Sequence, residues 1–229
     1  MSRLVWDATG ERLYETGVSN GVLYVQNSAG TGWETGVAWN GLTSVSESPS
    51  GADPNTLYAD NIKYLELRGA EEFGATIEAY TYPEEFNACN GVVEMAEGKG
   101  IFVGQQTRKR FCMAHKTLVG NDTNGTDYGY KVHVIYNATV SPSEQSHSTV
   151  NESPEAVTFS WELTTVPIAV TDFKPCAHIV IDSTQVPEGK MTAIENALFG
   201  KDATTNPASE GSEPTLKTPD ELLALINAT

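Results

Sequence analysis

Cysteine, histidine and positive charge are scarce in this sequence, and long apolar runs are missing. The 229 residues hold three cysteines, Cys89, Cys112 and Cys176, far apart and odd in number. No CxxC pair occurs, so neither a zinc ribbon nor a disulfide framework is supported. No apolar stretch approaches the ~18 residues of a membrane span. Met1 to Tyr24 carries no basic-then-apolar leader, which predicts a chain made in a reducing cytoplasm and not exported by a signal peptide. Thirty acidic residues against fourteen basic ones leave a formal charge of −16. A shortage of Lys and Arg argues against adhesive nucleic-acid binding and against binding to anionic membranes. By itself the acidic surplus serves solubility and names no partner.

Catalytic signatures are missing too. There is no HExxH, GxxxxGK[ST] or GxGxxG. The four histidines, His115, His133, His147 and His178, share no metal-ligand spacing, and His115 and His178 sit in apolar, strand-like contexts that fit a core edge better than a ligand. Asp122 to Asp127 has the outline of a calcium loop, but its glycine is two positions early and the twelfth-position glutamate is absent, so a hairpin explains it better. Glu71-Glu72 and Glu84-Glu85 are paired only along the chain, which is no evidence of a converging acid/base pair. Five N-x-[ST] triplets begin at Asn121, Asn124, Asn137, Asn151 and Asn227. Without a leader they read as turns and strand ends. The one basic cluster, Arg108, Lys109 and Arg110, is expected on a strand, serving a salt bridge between subunits or a solvated face. The reading is of a non-enzymatic part, with no cofactor and no metal.

What the sequence has is alternation. VLYVQN, TGVAWNGLTSV, IKYLELR, FGATIEAYTY, KRFCMAHKTLV, YGYKVHVIYNATV, EAVTFSWELTT and CAHIVID each carry period-two patterning rich in β-branched and aromatic residues. Turn signals at Asn20-Gly21, Gly30, Gly32, Asn90-Gly91, Asn124-Gly125 and Ser153-Pro154 separate them. This predicts a mainly β protein of roughly eight strands, a sandwich or partial barrel. Parity puts Phe73, Ala75, Ile77 and Ala79 on one face, with Val157, Phe159, Trp161 and Leu163 likewise together. Tyr130, Val132, Val134 and Tyr136 oppose a more polar set, Lys131, His133, Ile135 and Asn137. Pro83 to Ala88 fits a single helical turn. Pro187 to Phe199 predicts a helix with Met191, Ile194 and Leu198 as its apolar stripe. Residues 201–217 read as a polar linker, and Thr218-Pro219-Asp220-Glu221 as a capping box. The short helix after it is expected to dock through Leu222, Leu223, Leu225 and Ile226. Two regions result: a β domain over 1–200, and a linker with docking helix over 201–229.

One stretch stands apart. Between GLTSVS and IKYLEL lies SESPSGADPNTLYADN, a 16-residue acidic excursion that would span roughly 50 Å if extended. Loops of that length in compact domains usually have a function. Pro49 and Pro54 stiffen it, while Leu57 and Tyr58 offer apolar anchors.

That stretch, with AEEFGATIEAYTYPEEF, IFVGQQTRKRF, the long run from TLVGNDTNG to TFSWELTT, and MTAIENALFG, resembles the major tail (tail tube) protein of bacteriophages with long, non-contractile tails. It is similar to the branch common in phages of Gram-positive bacteria, over nearly the whole chain and in order. The resemblance implies a virion tail protein whose copies form rings, usually hexameric. The rings stack into a tube around a lumen through which double-stranded DNA passes without specific binding. It further implies tail-tip, tape-measure and tail-terminator proteins as partners. Under it, a loop over about 46–61 reaches the adjacent ring through Glu47, Pro49, Asp53, Pro54, Leu57, Tyr58 and Asp60. Thr76, Glu78, Ser160 and Glu162 are expected to face the lumen. The alternatives are an all-β decoration or receptor-binding adhesin module, which an exposed aromatic groove would favour, and a β-sandwich glycoside hydrolase, which needs converging carboxylates.

Overall fold

The structure is a computed structural model describing residues 3–51, 53–96, 98–147, 149–150, 152, 156–205 and 208–228. The turn expected at Ser153-Pro154 and the triplet beginning at Asn151 lie outside the described residues. In chain order, β1 (Tyr14–Val25), β2 (Val37–Trp39) and β3 (Leu42–Glu47) come first. The stretch read as one strand, TGVAWNGLTSV, breaks between β2 and β3 at Gly41. Its φ is +76°, in the left-handed region that glycine tolerates best. Then follow β4 (Ser50–Gly51), β5 (Pro54–Ala59), β6 (Ile62–Arg68), β7 (Glu71–Glu72) and β8 (Gly74–Ala79). A 3-10 turn over Glu84–Ala88 and a small hairpin of β9 (Val93–Glu94) with β10 (Phe102–Val103) precede a long hairpin, β11 (Phe111–Asn121) with β12 (Gly125–Val140). The chain closes with β13 (Phe159–Thr165), β14 (Ile168–Val170), β15 (Phe173–Cys176), β16 (His178–Asp182), α1 (Glu188–Phe199), β17 (Thr204–Thr205), β18 (Ala208–Ser209) and α2 (Pro219–Asn227).

Eight strands make one antiparallel sheet in the order β2-β1-β11-β12-β13-β8-β3, with β16 also on β12. The sheet curls until its edge strand β3 comes alongside β1. The protein is therefore mainly β, a partial barrel with two flanking helices. Inside the curl lie Leu23, Trp39, Ile77, Phe86, Phe111, Met113, Ile135, Trp161 and Leu163. Rings of Trp39, Phe86 and Trp161 meet at centroid distances of 4.6 to 5.7 Å in tilted and edge-on contacts. Such geometries suit the aromatic quadrupole. Parity was right for β8 and β13: Ala75, Ile77, Ala79, Trp161 and Leu163 are buried and Phe73 and Phe159 pack beside them.

On the outer face Val22, Tyr24, Cys112, Val132, Val134 and Tyr136 meet Met191, Ile194 and Leu198 of α1 and Leu222 of α2. The capping box forms as its sequence predicts, Thr218 and Glu221 bonding reciprocally. Leu225 and Ile226 pack at the margin, whereas Leu223, expected to dock, stays 48% exposed on the far side of the short helix. The 201–217 segment is tied back to the body: Thr215 N–H donates to Ala197, Gly36 N–H to Pro214, and the Tyr136 hydroxyl to the Lys217 carbonyl at 2.9 Å.

The parity reading of β12 needs correction. Tyr130 to Tyr136 do present an apolar face, but the opposite face is not polar, because His133 and Ile135 are buried. At Asn137, φ +52°, the alternation slips: Ile135 faces the inner core, and so do Ala138 and Val140. That is the behaviour of a bulge. It lets β12 pair β16 over Lys131 to Ile135 and then β13 over Ala138 to Val140.

Two stability outcomes follow. Trp161→Ala is expected to lose about 3–5 kcal/mol, read as a lower urea midpoint. Replacing 50–72 by a two-residue turn joining β3 to β8 is expected to leave that midpoint near wild type, since no described residue of that segment belongs to either core.

Candidate assembly surfaces

The acidic excursion is a β-arm and not an irregular loop. Strands β5 and β6 pair over Pro54↔Arg68 to Ala59↔Ile62, and β4 with β7 makes a stem below them. IKYLELR, read as the next strand of the body, is thus the returning half of the arm. Asp60 and Asn61 close the tip with φ of +51° and +61°. Two successive positive φ values define the type I′ turn whose twist matches a two-residue hairpin, and Asp and Asn tolerate that region. A bulge between Leu57 and Tyr58 adds twist. Lys63 and Arg68 both pair with Glu66. These exposed pairs bias the hairpin geometry and add little stability.

The arm carries its apolar side chains to solvent. Tyr58 is 73% exposed, Tyr64 70% and Ile62 63%, and Leu57, Leu65 and Leu67 are exposed as well. Pro49, Asp53, Pro54 and Asp60 are exposed at the stem, base and tip, as their place in the excursion predicts. Glu47 is different. It is the last residue of β3, on the same side as Val45, and its carboxylate turns inward toward two histidines.

Thr76, Glu78, Ser160 and Glu162 do come together. Register sets Ser160 opposite Glu78 and Glu162 opposite Thr76, and β3 adds Ser44 opposite Glu78 and Ser46 opposite Thr76. Period-two alternation with the core residues on the other face makes this a polar strip. Ser44 Oγ donates to Glu78 Oε2 at 2.9 Å. Beside it, the free edge of β3 leaves main-chain groups without a strand partner among the described residues.

Arg108, Lys109 and Arg110 lie on no strand, contrary to the sequence expectation. The segment entering β11 is held by single bonds instead: Gln106 N–H donates to Gly91 and Lys109 N–H to Ala88, with Gln105 at φ +62°. All three basic residues are half-buried, and Arg110 Nη1 donates to Asn137 Oδ1 at 3.0 Å. Arg110 is therefore spent inside the chain, bracing the bulge.

Two surfaces escaped the sequence reading. The β9–β10 hairpin exposes Val93, Met95, Ile101, Phe102 and Val103, while Glu94 gathers the N–H groups of Gly98, Lys99 and Gly100 at 2.7 to 3.2 Å. Those backbone bonds hold the Glu94 carboxyl below the usual range. Leu4, Val5 and Trp6 are also exposed. The signal for the first was present in GKGIFVG, an apolar run flanked by glycines.

A histidine stack is the third feature the sequence concealed. His115 lies opposite His133 across β11–β12, ring centroids 4.8 Å apart and nearly parallel, and His178 follows at 5.4 Å from His133. Phe73 stacks on the far side of His178 at 4.6 Å. Burial first, then the neighbouring imidazoles, pushes His115 down to about 3. Burial also lowers His178, opposed by Glu47. Glu15 receives Lys131 Nζ at 2.6 Å and Thr117 Oγ1 at 2.6 Å.

No family model matches the chain, and no curated protein is similar to it. Among solved structures, a chain of the PVC sheath-tube complex of an extracellular contractile injection system, in the extended state, aligns at 16% identity and a TM-score of 0.31, over 71% of this chain and 88% of that one. A chain of the 6-fold symmetrised baseplate of the anti-feeding prophage (AFP) aligns at 8% identity and a TM-score of 0.32, over 78% and 97%. One from the PVC sheath/tube terminator gives 12% identity and 0.26, over 78% and 99%.

Proposed function

We propose that this chain is a structural, non-enzymatic subunit that assembles with copies of itself into stacked rings forming a phage-type tail tube. One observation carries the reading. The β-arm projects Tyr58, Ile62 and Tyr64, and among the described residues of its own chain nothing covers them. Large exposed apolar surface on a projection marks an interface, and aromatic anchors supply much of the affinity at such sites. A head-to-tail contact between an arm on one subunit and a body elsewhere closes into rings or continues into a filament.

The polar strip of Thr76, Glu78, Ser160 and Glu162 is proposed as the lumen face. A wall of hydroxyls and carboxylates repels duplex phosphate within a Debye length of ~8 Å. DNA then has no counterion-release affinity to overcome as it slides. The finer assignment, to long non-contractile tails with tip, tape-measure and terminator partners and usually six subunits a ring, rests on the sequence words quoted above. Arg108 and Lys109, half-buried near the 3-10 turn, remain available to a neighbouring subunit.

Concentrated wild-type protein is expected to form tubes of uniform width in negative-stain microscopy. Tyr58→Ser with Tyr64→Ser is expected to keep the wild-type melting temperature but to stop at single rings or monomers. Wild-type protein that remains monomeric, even with a tail-tip seed, would overturn the reading. In tubes carrying Glu78→Lys and Glu162→Lys, the lumen assignment predicts retained DNA and slower ejection; transit at the wild-type rate would place the strip elsewhere.

A further inference from the structure

Three ligand atoms from three strands converge at the mouth of the inner core. His133 Nδ1 and His178 Nε2 are 3.2 Å apart, and Glu47 Oε1 is 3.5 Å from each. A tetrahedral zinc with bonds of ~2.0–2.1 Å spaces its ligand atoms ~3.3–3.4 Å from one another. The triangle therefore has the dimensions of one face of such a tetrahedron. As a set of hydrogen bonds it is weaker, since 3.5 Å is long for a carboxylate contact.

The surroundings set the tautomer the site needs. Thr117 Oγ1 donates to Glu15 Oε1 at 2.6 Å, so its oxygen is free to accept. His133 Nε2 lies 3.0 Å from that oxygen and 3.3 Å from Glu15 Oε1. Two acceptors at Nε2 put the proton there and leave the Nδ1 lone pair pointing into the triangle. A carboxylate or hydroxyl behind a ligand histidine is the usual support of a metal-bound imidazole. Lys131 in turn anchors Glu15. Access is one-sided: the His133 and His178 side chains are 8% and 12% exposed, while Glu47 is 43% exposed. An ion would enter past Glu47, and water would complete its coordination.

We propose that Glu47, His133 and His178 bind one divalent transition metal of the zinc class, clasping the end of β3, from which the arm springs, to β12 and β16. Two imidazoles and a carboxylate suit zinc, which accepts nitrogen and oxygen ligands without geometric penalty. The clasp would fix the arm's departure angle relative to the sheet. It is independent of tube formation and holds for a single subunit.

The test uses untagged, full-length protein stripped with a chelator, titrated with zinc chloride by calorimetry and with cobalt(II) by visible absorption. One zinc per chain and the intense bands of tetrahedral cobalt are expected. Glu47→Gln, which alters only a partly exposed side chain and so should fold, is expected to abolish the cobalt bands, as is His178→Ala. Glu15→Gln, behind the ligand, is expected to weaken zinc binding about 10- to 100-fold. The proposal is overturned if stripped wild-type protein takes up no zinc at millimolar concentration. It is equally overturned if Glu47→Gln and His178→Ala bind zinc as wild type does, or if adding zinc leaves the wild-type melting temperature unchanged.

Discussion

Everything in this fold depends on β12 being buried on both faces. A strand that feeds two cores needs apolar residues at both parities, and Val132, Val134 and Tyr136 serve one core while Ile135, Ala138 and Val140 serve the other. Those two sets are reconciled only because the chain bulges at Asn137. The bulge costs a left-handed backbone at a non-glycine residue, which is tolerable for asparagine. It is held by Asn137 itself, whose amide donates to the Val166 carbonyl at 3.2 Å and whose carbonyl oxygen accepts from Arg110. Beyond the bulge β12 exchanges β16 for β13 as its partner.

The curled sheet then divides the molecule into a body and its projections. The body buries the large aromatics and the helix stripes, and so bears the hydrophobic stabilisation. The arm, the β9–β10 hairpin and the residues around Trp6 contribute nothing to either core and carry apolar side chains outward. Their shape is locally encoded, by the Asp60-Asn61 turn in one case and the Glu94 nest in the other. A two-stranded hairpin is marginal alone in water, so these projections add little to the stability of the body.

Where the inner core meets the root of the arm, the apolar lining gives way to stacked imidazoles ringed by Glu15, Glu47, Thr117 and Lys131. Buried polar groups are costly unless each finds a partner. His133 has partners at both nitrogens, whereas His115 Nδ1 has none among the described residues. The polarity is thus concentrated on the His133–His178–Glu47 side, the side from which β3 passes into the arm.

Period-two alternation determined much by itself. The strands of the body, the inward faces of β8 and β13, the Met191–Ile194–Leu198 stripe and the capped last helix were all legible, because each is a local pattern that one element imposes on its own residues. The pairing partners were not. IKYLELR alternates as any strand does, and nothing in it says that it pairs with β5 in an arm and not with the body. The basic triplet was misplaced on a strand because three charges carry no record of the single bonds that hold them against the 3-10 turn. The three histidines are scattered through the sequence without ligand spacing, and only the register of β11, β12 and β16 brings them to within a few ångströms. Local periodicity is written residue by residue, but convergence is decided by which strands lie side by side, and that is a property of the closed sheet alone.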